Sequence, residues 1–212
     1  MTPGQPKWRR RKEARPAEIV AAALEVFAGK GFAAARLDDI AAAAGVSKGA
    51  LYLYFETKQD LFTAVVRTAI TPNIAEIEAA ALAMDMPFAR VLRLLVGRGA
   101  DVLSTSAIGG VAKMVIAESR NFPDLARVWH DEVANRVLSA IVALVEKGQA
   151  AGEVRPGDPR GYAFSIISPL LMGLLWREVF VPIGAAPMNI RALAEHHIEA
   201  VLDGLLTEGA RA

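Results

Sequence analysis

An all-α fold is predicted by three features of the sequence. Alanine and leucine dominate its 212 residues, while β-branched runs flanked by turn residues are scarce. Apolar residues recur three and four positions apart through most of the chain, the spacing that lines one side of a helix. Glycine and proline cluster between those stretches at 29–31 and 152–159, and Asn121-Phe122-Pro123 makes a further break, where a helix would have to end. Hydrophobic residues make up 53% and charged residues 22%, enough to bury the core of one large domain or two modest ones.

Pro16 suits a first helical turn, and Ile19, Val20, Ala23, Leu24, Val26 and Phe27 share helical spacing until Gly29-Lys30-Gly31. A short helix is expected from Leu37 to Ala44, with Asp38 and Asp39 in its first turn, where the dipole favours acids. Gly45-Val46-Ser47 reads as a tight turn in which Ser47 caps a two-turn helix, about Lys48 to Tyr54. Thr57 caps the next, from Lys58 towards Ile70, and Pro72 is expected to kink or end it. Longer helices follow. One begins near Pro87 and carries Phe88, Val91, Leu92, Leu95 and Val96, and another opens at Gly109-Gly110 and reaches Glu118. A long helix is predicted from Asp124 to about Ala151, then two last ones, about Arg160 to Val181 and Asn189 to Thr207.

Several function classes are excluded at this stage. With no cysteine, disulfides, thiolate zinc sites and cysteine nucleophiles fall together. No phosphate-binding glycine loop follows a strand, Gly97-Arg98-Gly99 sits inside a helical pattern, and no Ser/His/Asp arrangement is readable; no enzyme is expected. His196 and His197 diverge by about 100° on one helix. His130-Asp131-Glu132 has no partner four residues on, so neither metal nor cofactor is expected. No apolar leader is visible, and Phe164 to Trp176 is broken by Ser165, Ser168, Pro169 and Gly173. It is shorter than the roughly 18 apolar residues a membrane span needs. A cytoplasmic protein without a membrane partner is predicted.

Net charge is +1 but unevenly placed: residues 1–60 hold ten Lys/Arg against seven Asp/Glu (+3), and 61–212 hold fourteen against sixteen (−2). Lys7, Arg9, Arg10, Arg11, Lys12 and Arg15 form a basic arm over residues 1–15, relieved by Glu13. It reads either as a solvated, flexible terminus or as a tail that contacts phosphates.

The most informative segment is Asp39-Ile-Ala-Ala-Ala-Ala-Gly-Val-Ser-Lys-Gly-Ala-Leu-Tyr-Leu-Tyr-Phe. Ile40 and Ala41 face inward on the first helix, Ala44 and Gly45 let the chain turn sharply, and Val46 plugs the angle. Leu51 and Phe55 anchor the second helix to the same core. Its other face shows Lys48, Gly49, Ala50, Tyr52, Leu53 and Tyr54. A helix this short, bearing small, aromatic and cationic residues, fits a DNA major groove that admits one helix. The stretch from Ile19 to about Val66 resembles the DNA-binding domain of TetR-family regulators. The resemblance rests on Gly31-Phe32, Ile40-Ala41, Ala44-Gly45-Val46-Ser47-Lys48-Gly49, Leu51-Tyr52, Phe55, Lys58 and Leu61-Phe62.

The resemblance implies a three-helix DNA-binding domain over residues 16–66 and a helical effector-binding and dimerisation domain over 67–212. The implied function is a repressor that binds a palindromic operator as a homodimer and is released by a small molecule. The implied DNA-contacting set is Arg36, Ser47, Lys48, Gly49, Ala50, Tyr52, Leu53, Tyr54, Thr57 and Lys58. Lys48, Tyr52 and Lys58 are matched to phosphate contacts, and Gly49, Ala50, Leu53 and Tyr54 to base edges. Ala50 and Leu53 could read only thymine methyls. Tyr52 and Tyr54 could instead be half-buried core aromatics. Arg36 departs from the family's Ser or Thr; it loses an N-cap, at about 1 kcal/mol, and gains a guanidinium that could reach a phosphate.

In the second domain the last two helices carry wide apolar stripes: Ile166, Leu170, Gly173, Leu174 and Val179, then Ile190, Leu193, His197, Val201 and Leu205. Two such helices and their symmetry mates would form a four-helix dimer interface. Phe88, Met114, Phe122, Trp129 and Trp176 are the candidate walls of an effector pocket, suited as a set to an apolar or aromatic ligand.

Overall fold

The computed structural model describes residues 7–72, 74, 75, 78, 79 and 86–210, with side chains from Arg15 onward. Residues 1–6 of the basic arm lie outside the described residues. The helices run α1 (Lys7–Lys30), α2 (Leu37–Ala43), α3 (Lys48–Tyr52), α4 (Lys58–Val65, extended by a π turn Val66–Ile70), α5 (Phe88–Thr105) and α6 (Ile108–Glu118). Then come α7 (Pro123–Trp129, a π turn His130–Ala134, and Asn135–Ala150), α8 (Pro159–Leu175 with a π turn Trp176–Phe180) and α9 (Ile190–Leu205).

The helix starts follow from their caps. Ser47 Oγ accepts from the Ala50 amide at 3.2 Å, opening α3. Thr57 and Asp60 satisfy each other's amides, both at 3.0 Å, a reciprocal box that opens α4. Asp158 caps α8 with Pro159 in its first turn, and Asn189 caps α9. Arg36 makes no side-chain cap for α2, as expected from its identity.

Two prolines behave differently from expectation. Pro16 lies inside α1 rather than opening it, because the Lys, Arg, Glu and Ala residues before it are strong helix formers. Pro72 does not end α4, since Thr71, Pro72, Ile74 and Ala75 are all helical. Just before it the ladder widens, the Thr71 amide reaching back to the Val66 carbonyl, and a widened turn accommodates a residue that cannot donate.

Two apolar clusters form the core. The first joins Ile19, Phe27, Phe32, Ile40, Leu51, Leu61 and Phe62 of α1–α4 to Val111, Met114 and Val115 of α6 and Leu125 and Val133 of α7. The second joins Phe88, Leu92 and Val96 of α5 to Leu144 and Val145 of α7, Ile166 of α8 and Ile198 and Leu202 of α9. The first core therefore runs past residue 66, where the sequence suggests a domain boundary, and takes in α6 and the start of α7. A bend of 82° between α5 and α6 turns the chain from one cluster to the other.

The predicted dimerisation stripe is largely consumed inside the chain. Ile166 is fully buried, Leu174, Ile190 and Leu205 nearly so, and Leu170, Leu193, His197 and Val201 are partly covered. A helix first buries its widest apolar side against its own neighbours, and amphipathicity does not separate that packing from association. Of that stripe Val179 stays exposed, at 40%, and beside the stripe Phe164, Leu171 and Met172 of α8 are 47–54% exposed. Small exposed residues accompany it, Gly161, Ser165 and Ser168 on α8 and Ala192, Ala200 and Gly204 on α9.

Candidate nucleic-acid interface

The α2–α3 pair is a rigid unit built from local bonds. Gly45 adopts φ +66°, a left-handed conformation that disfavours any side chain, and the Val46 amide closes the turn on the Ala41 carbonyl at 3.0 Å. Ile40 and Leu51, both fully buried, fix the two helices to α1 and α4. What this leaves outward is Ser47, Lys48, Gly49, Tyr52 and Leu53, with Ala50 half-covered.

Leu53 is 81% exposed at the end of α3, an apolar side chain held in water where the protein alone gives it no partner to pack on. Tyr52 is 44% exposed. Tyr54, by contrast, packs partly against the first core cluster together with Phe55, so among the predicted base readers it is, like Ala50, only partly presented. Arg36 and Thr57 are both exposed, Thr57 with its hydroxyl engaged in the α4 cap.

The two lysines differ. Lys48 is exposed and pairs with Asp38 at 2.8 Å while lying 5.9 Å from the Tyr52 ring centre. The Asp38 carboxylate holds its ammonium charged to higher pH than usual. Lys58 is committed inward. Its ammonium donates to the carbonyls of Phe32, of Ala33 at 3.2 Å and of Ala35 at 2.9 Å, and sits 4.5 Å from the Phe32 ring centre. An ammonium has three protons, so the three carbonyls use them all. Burial pushes its pKa down, opposed by the charge of Glu118. The implied phosphate role of Lys58 therefore conflicts with its geometry: it stitches the α1–α2 turn to α4.

Sequence reasoning missed the residue on the other side of that turn. Glu118, at the end of α6, accepts from the amides of Phe32 at 2.9 Å and Ala33 at 2.7 Å. Gly31 at the head of the turn has φ +79°, and a Cβ there would strike the Glu118 carboxylate at 2.5 Å. Phe122, just after α6, meets the Phe32 ring edge-on at 5.0 Å. No local pattern points to these contacts, because the partners are 85 and 86 residues apart.

The five candidate effector-pocket residues are not brought together. Phe88 belongs to the second cluster, beneath Gly148, while Met114, Phe122 and Trp129 pack in the first. Trp176 lies against Phe180 and donates its indole N–H to the Ala186 carbonyl. A groove of about 310 Å³ beside α3 is lined by Arg15, Glu18, Gly45, Val46, Ser47 and Ala50. Among the described residues no polar or charged side chain is buried, and no cluster of three or more His, Asp or Glu could hold a metal.

Comparison with known proteins agrees with this geometry. Residues 19–65 match the family described as "Bacterial regulatory proteins, tetR family", and residues 90–204 match "AefR-like transcriptional repressor, C-terminal domain". The chain is 32% identical over 156 residues to the uncharacterized HTH-type transcriptional regulator YfiR of Bacillus subtilis, covering 70% of this chain and 72% of that one. It is 27% identical to the HTH-type transcriptional repressor BepR of Brucella suis, over 78% and 83% of the two chains. Among solved structures, FadR of Bacillus subtilis in complex with stearoyl-CoA superposes with a TM-score of 0.74 at 21% identity, over 89% of this chain and 98% of that one.

Proposed function

Because the chain belongs to the TetR family of bacterial regulatory proteins, we propose that it is a repressor that grips a palindromic operator as a homodimer and lets go when a small apolar or aromatic effector binds. The observation that carries the dimer is the open face of α8. The segment Pro159–Ile183 is apolar enough, at 25 residues, to cross a membrane by composition, yet only 17% of its most apolar window is buried. Such a surface needs a cover, and a second copy supplies a matching one by twofold symmetry. The small residues of α8 and α9 let two helix pairs approach closely. Two copies of α3 would then enter successive major grooves, whose half-sites lie about 34–36 Å apart.

Support for the effector is chemical. The interior offers carbon surfaces, with no buried charge among the described residues to recognise a polar ligand. The structural neighbour FadR holds stearoyl-CoA, a ligand with a long apolar chain. Repression is favoured by BepR, a relative named as a repressor.

Sedimentation tests the dimer. The wild type should sediment as a dimer, and Leu171→Glu with Met172→Glu should give folded monomers, because the dimer would have to bury both charges. Those monomers should lose most affinity for a duplex selected from a random pool by the wild type. A monomeric wild type, or one recovered on lipid vesicles instead of paired, would overturn the reading.

A further inference from the structure

We infer that Glu118 is a positioning residue for DNA binding, through which the second domain sets the orientation of the recognition helix. The inference rests on the reading of α3 as the element that meets DNA. Its basis is the juxtaposition of two opposite charges on one turn. Residues 31–36 connect α1 to the α2–α3 unit, and that unit is internally rigid. Wherever the turn sits, α3 sits. The polar groups of the turn are matched by side chains from elsewhere: Glu118 takes the amides of Phe32 and Ala33, and Lys58 takes the carbonyls of Phe32, Ala33 and Ala35. One clamp arm comes from α4 of the DNA-binding domain and the other from α6, outside the residues 19–65 that match the DNA-binding family.

Midway along α6, Lys113 donates to the Glu178 carbonyl at 3.3 Å. This bond ties α6 to the π turn of α8, Trp176–Phe180, whose Arg177 also donates to the Leu103 carbonyl near the end of α5. Lys30 of α1 pairs with Asp39 of α2 across the same turn at 2.8 Å, and further along the chain Arg67 pairs with Glu132 at 2.7 Å. Glu118 is the charged side chain that bonds the turn from the second domain. A carboxylate is suited to it, because its two oxygens each accept one of two parallel amides. A carboxamide keeps one acceptor and turns an N–H against the other amide.

The experiment compares wild type, Glu118→Gln, Lys58→Ala and the double variant, on a duplex selected by the wild type from a random pool and on an unrelated duplex of equal length. Amide hydrogen exchange of the free proteins is followed in parallel. Glu118→Gln should weaken the selected duplex about tenfold, the scale of leaving one such amide unmatched, with little change on the unrelated duplex. Its salt slope should stay that of the wild type, since no phosphate contact is lost. Lys58→Ala should behave alike, and the double variant should lose less than the product of the two, because both residues hold one turn. Exchange should rise at Phe32, Ala33 and Ala35, the amides of the turn, and stay constant in α5, in α9 and inside α2–α3, which shifts as a unit. Glu118→Asp, which keeps the charge but shortens its reach, stands in if the carboxamide does not fold.

Faster exchange in the turn, with selected-duplex affinity unchanged, would reduce Glu118 to a local tie and overturn the inference. So would a Lys58→Ala slope lower by about 0.9, which would return that lysine to a phosphate. If the wild type selects no duplex, the proposed function fails; the exchange measurement, which needs no DNA, still decides whether Glu118 holds the turn that carries α2–α3.

Discussion

Changing Gly110 to Ala tests the seam between α1 and α6. Gly110 lies in the first turn of α6, where an added Cβ would stand 2.7 Å from the Ala28 Cβ and 3.0 Å from both its Cα and its carbonyl oxygen. Two of these three atoms are backbone of α1, so the clash cannot be relieved by a rotamer change. Overpacking of this kind costs about 1–3 kcal/mol. Replacing a helical glycine returns up to about 1 kcal/mol. The net expectation is a loss of about 1–2 kcal/mol, and a chain of this size shifts by about 2–4 °C per kcal/mol, so Tm should fall by about 2–8 °C. Gly99→Ala in α5 is the control, because nothing lies within 4 Å of its added Cβ. It should raise Tm by about 2–4 °C through propensity alone. Thermal unfolding at one fixed protein concentration reads both signs. A Gly110→Ala protein stabilised like Gly99→Ala would show that α1 and α6 are not in close contact, and the clamp on the α1–α2 turn would lose its footing.

Other outcomes follow from the DNA face. Deleting residues 1–12 removes Lys7, Arg9, Arg10, Arg11 and Lys12 of the first turns of α1, and the slope of log affinity against log salt should become shallower by up to about 0.9 per lost phosphate contact; an unchanged slope would mean that these cations make no phosphate contact. Leu53→Ala should relax preference at one position per half-site by about 1–3 kcal/mol on single-base variants of the selected duplex, while leaving the salt slope alone. Tyr54→Ala should cost stability more than base preference, since its ring packs on the core; the reverse ranking would restore it as a reader.

What was legible in the sequence was local. Gly45, Val46 and Ser47 define their turn within three residues, and Ser47 and Thr57 cap helices through amides three positions on. The role of Lys58 was not legible, because its carbonyl partners lie 23–26 residues upstream and a motif records only that a lysine recurs there. Glu118 was beyond reach for the same reason, magnified. The stripe of α8 and α9 was visible, but whether its residues pack inward or outward depends on helix rotation, which sequence periodicity leaves undetermined. The π turns at Val66–Ile70, His130–Ala134 and Trp176–Phe180 shift that rotation further, and no residue pattern marks them.

The first apolar cluster has a consequence for building hybrid regulators. Since Val111, Met114, Val115, Leu125 and Val133 complete the packing around Phe27, Phe32 and Phe62, the operator-reading head does not end where its sequence motif ends. A graft cut at residue 66 would transplant half of a hydrophobic interior onto a foreign surface. Exchanging specificities between this chain and a distant cousin would mean carrying across the inward faces of α6 and early α7 as well, or re-matching them to the host. The sensing half and the reading half have to be inherited as a fitted pair.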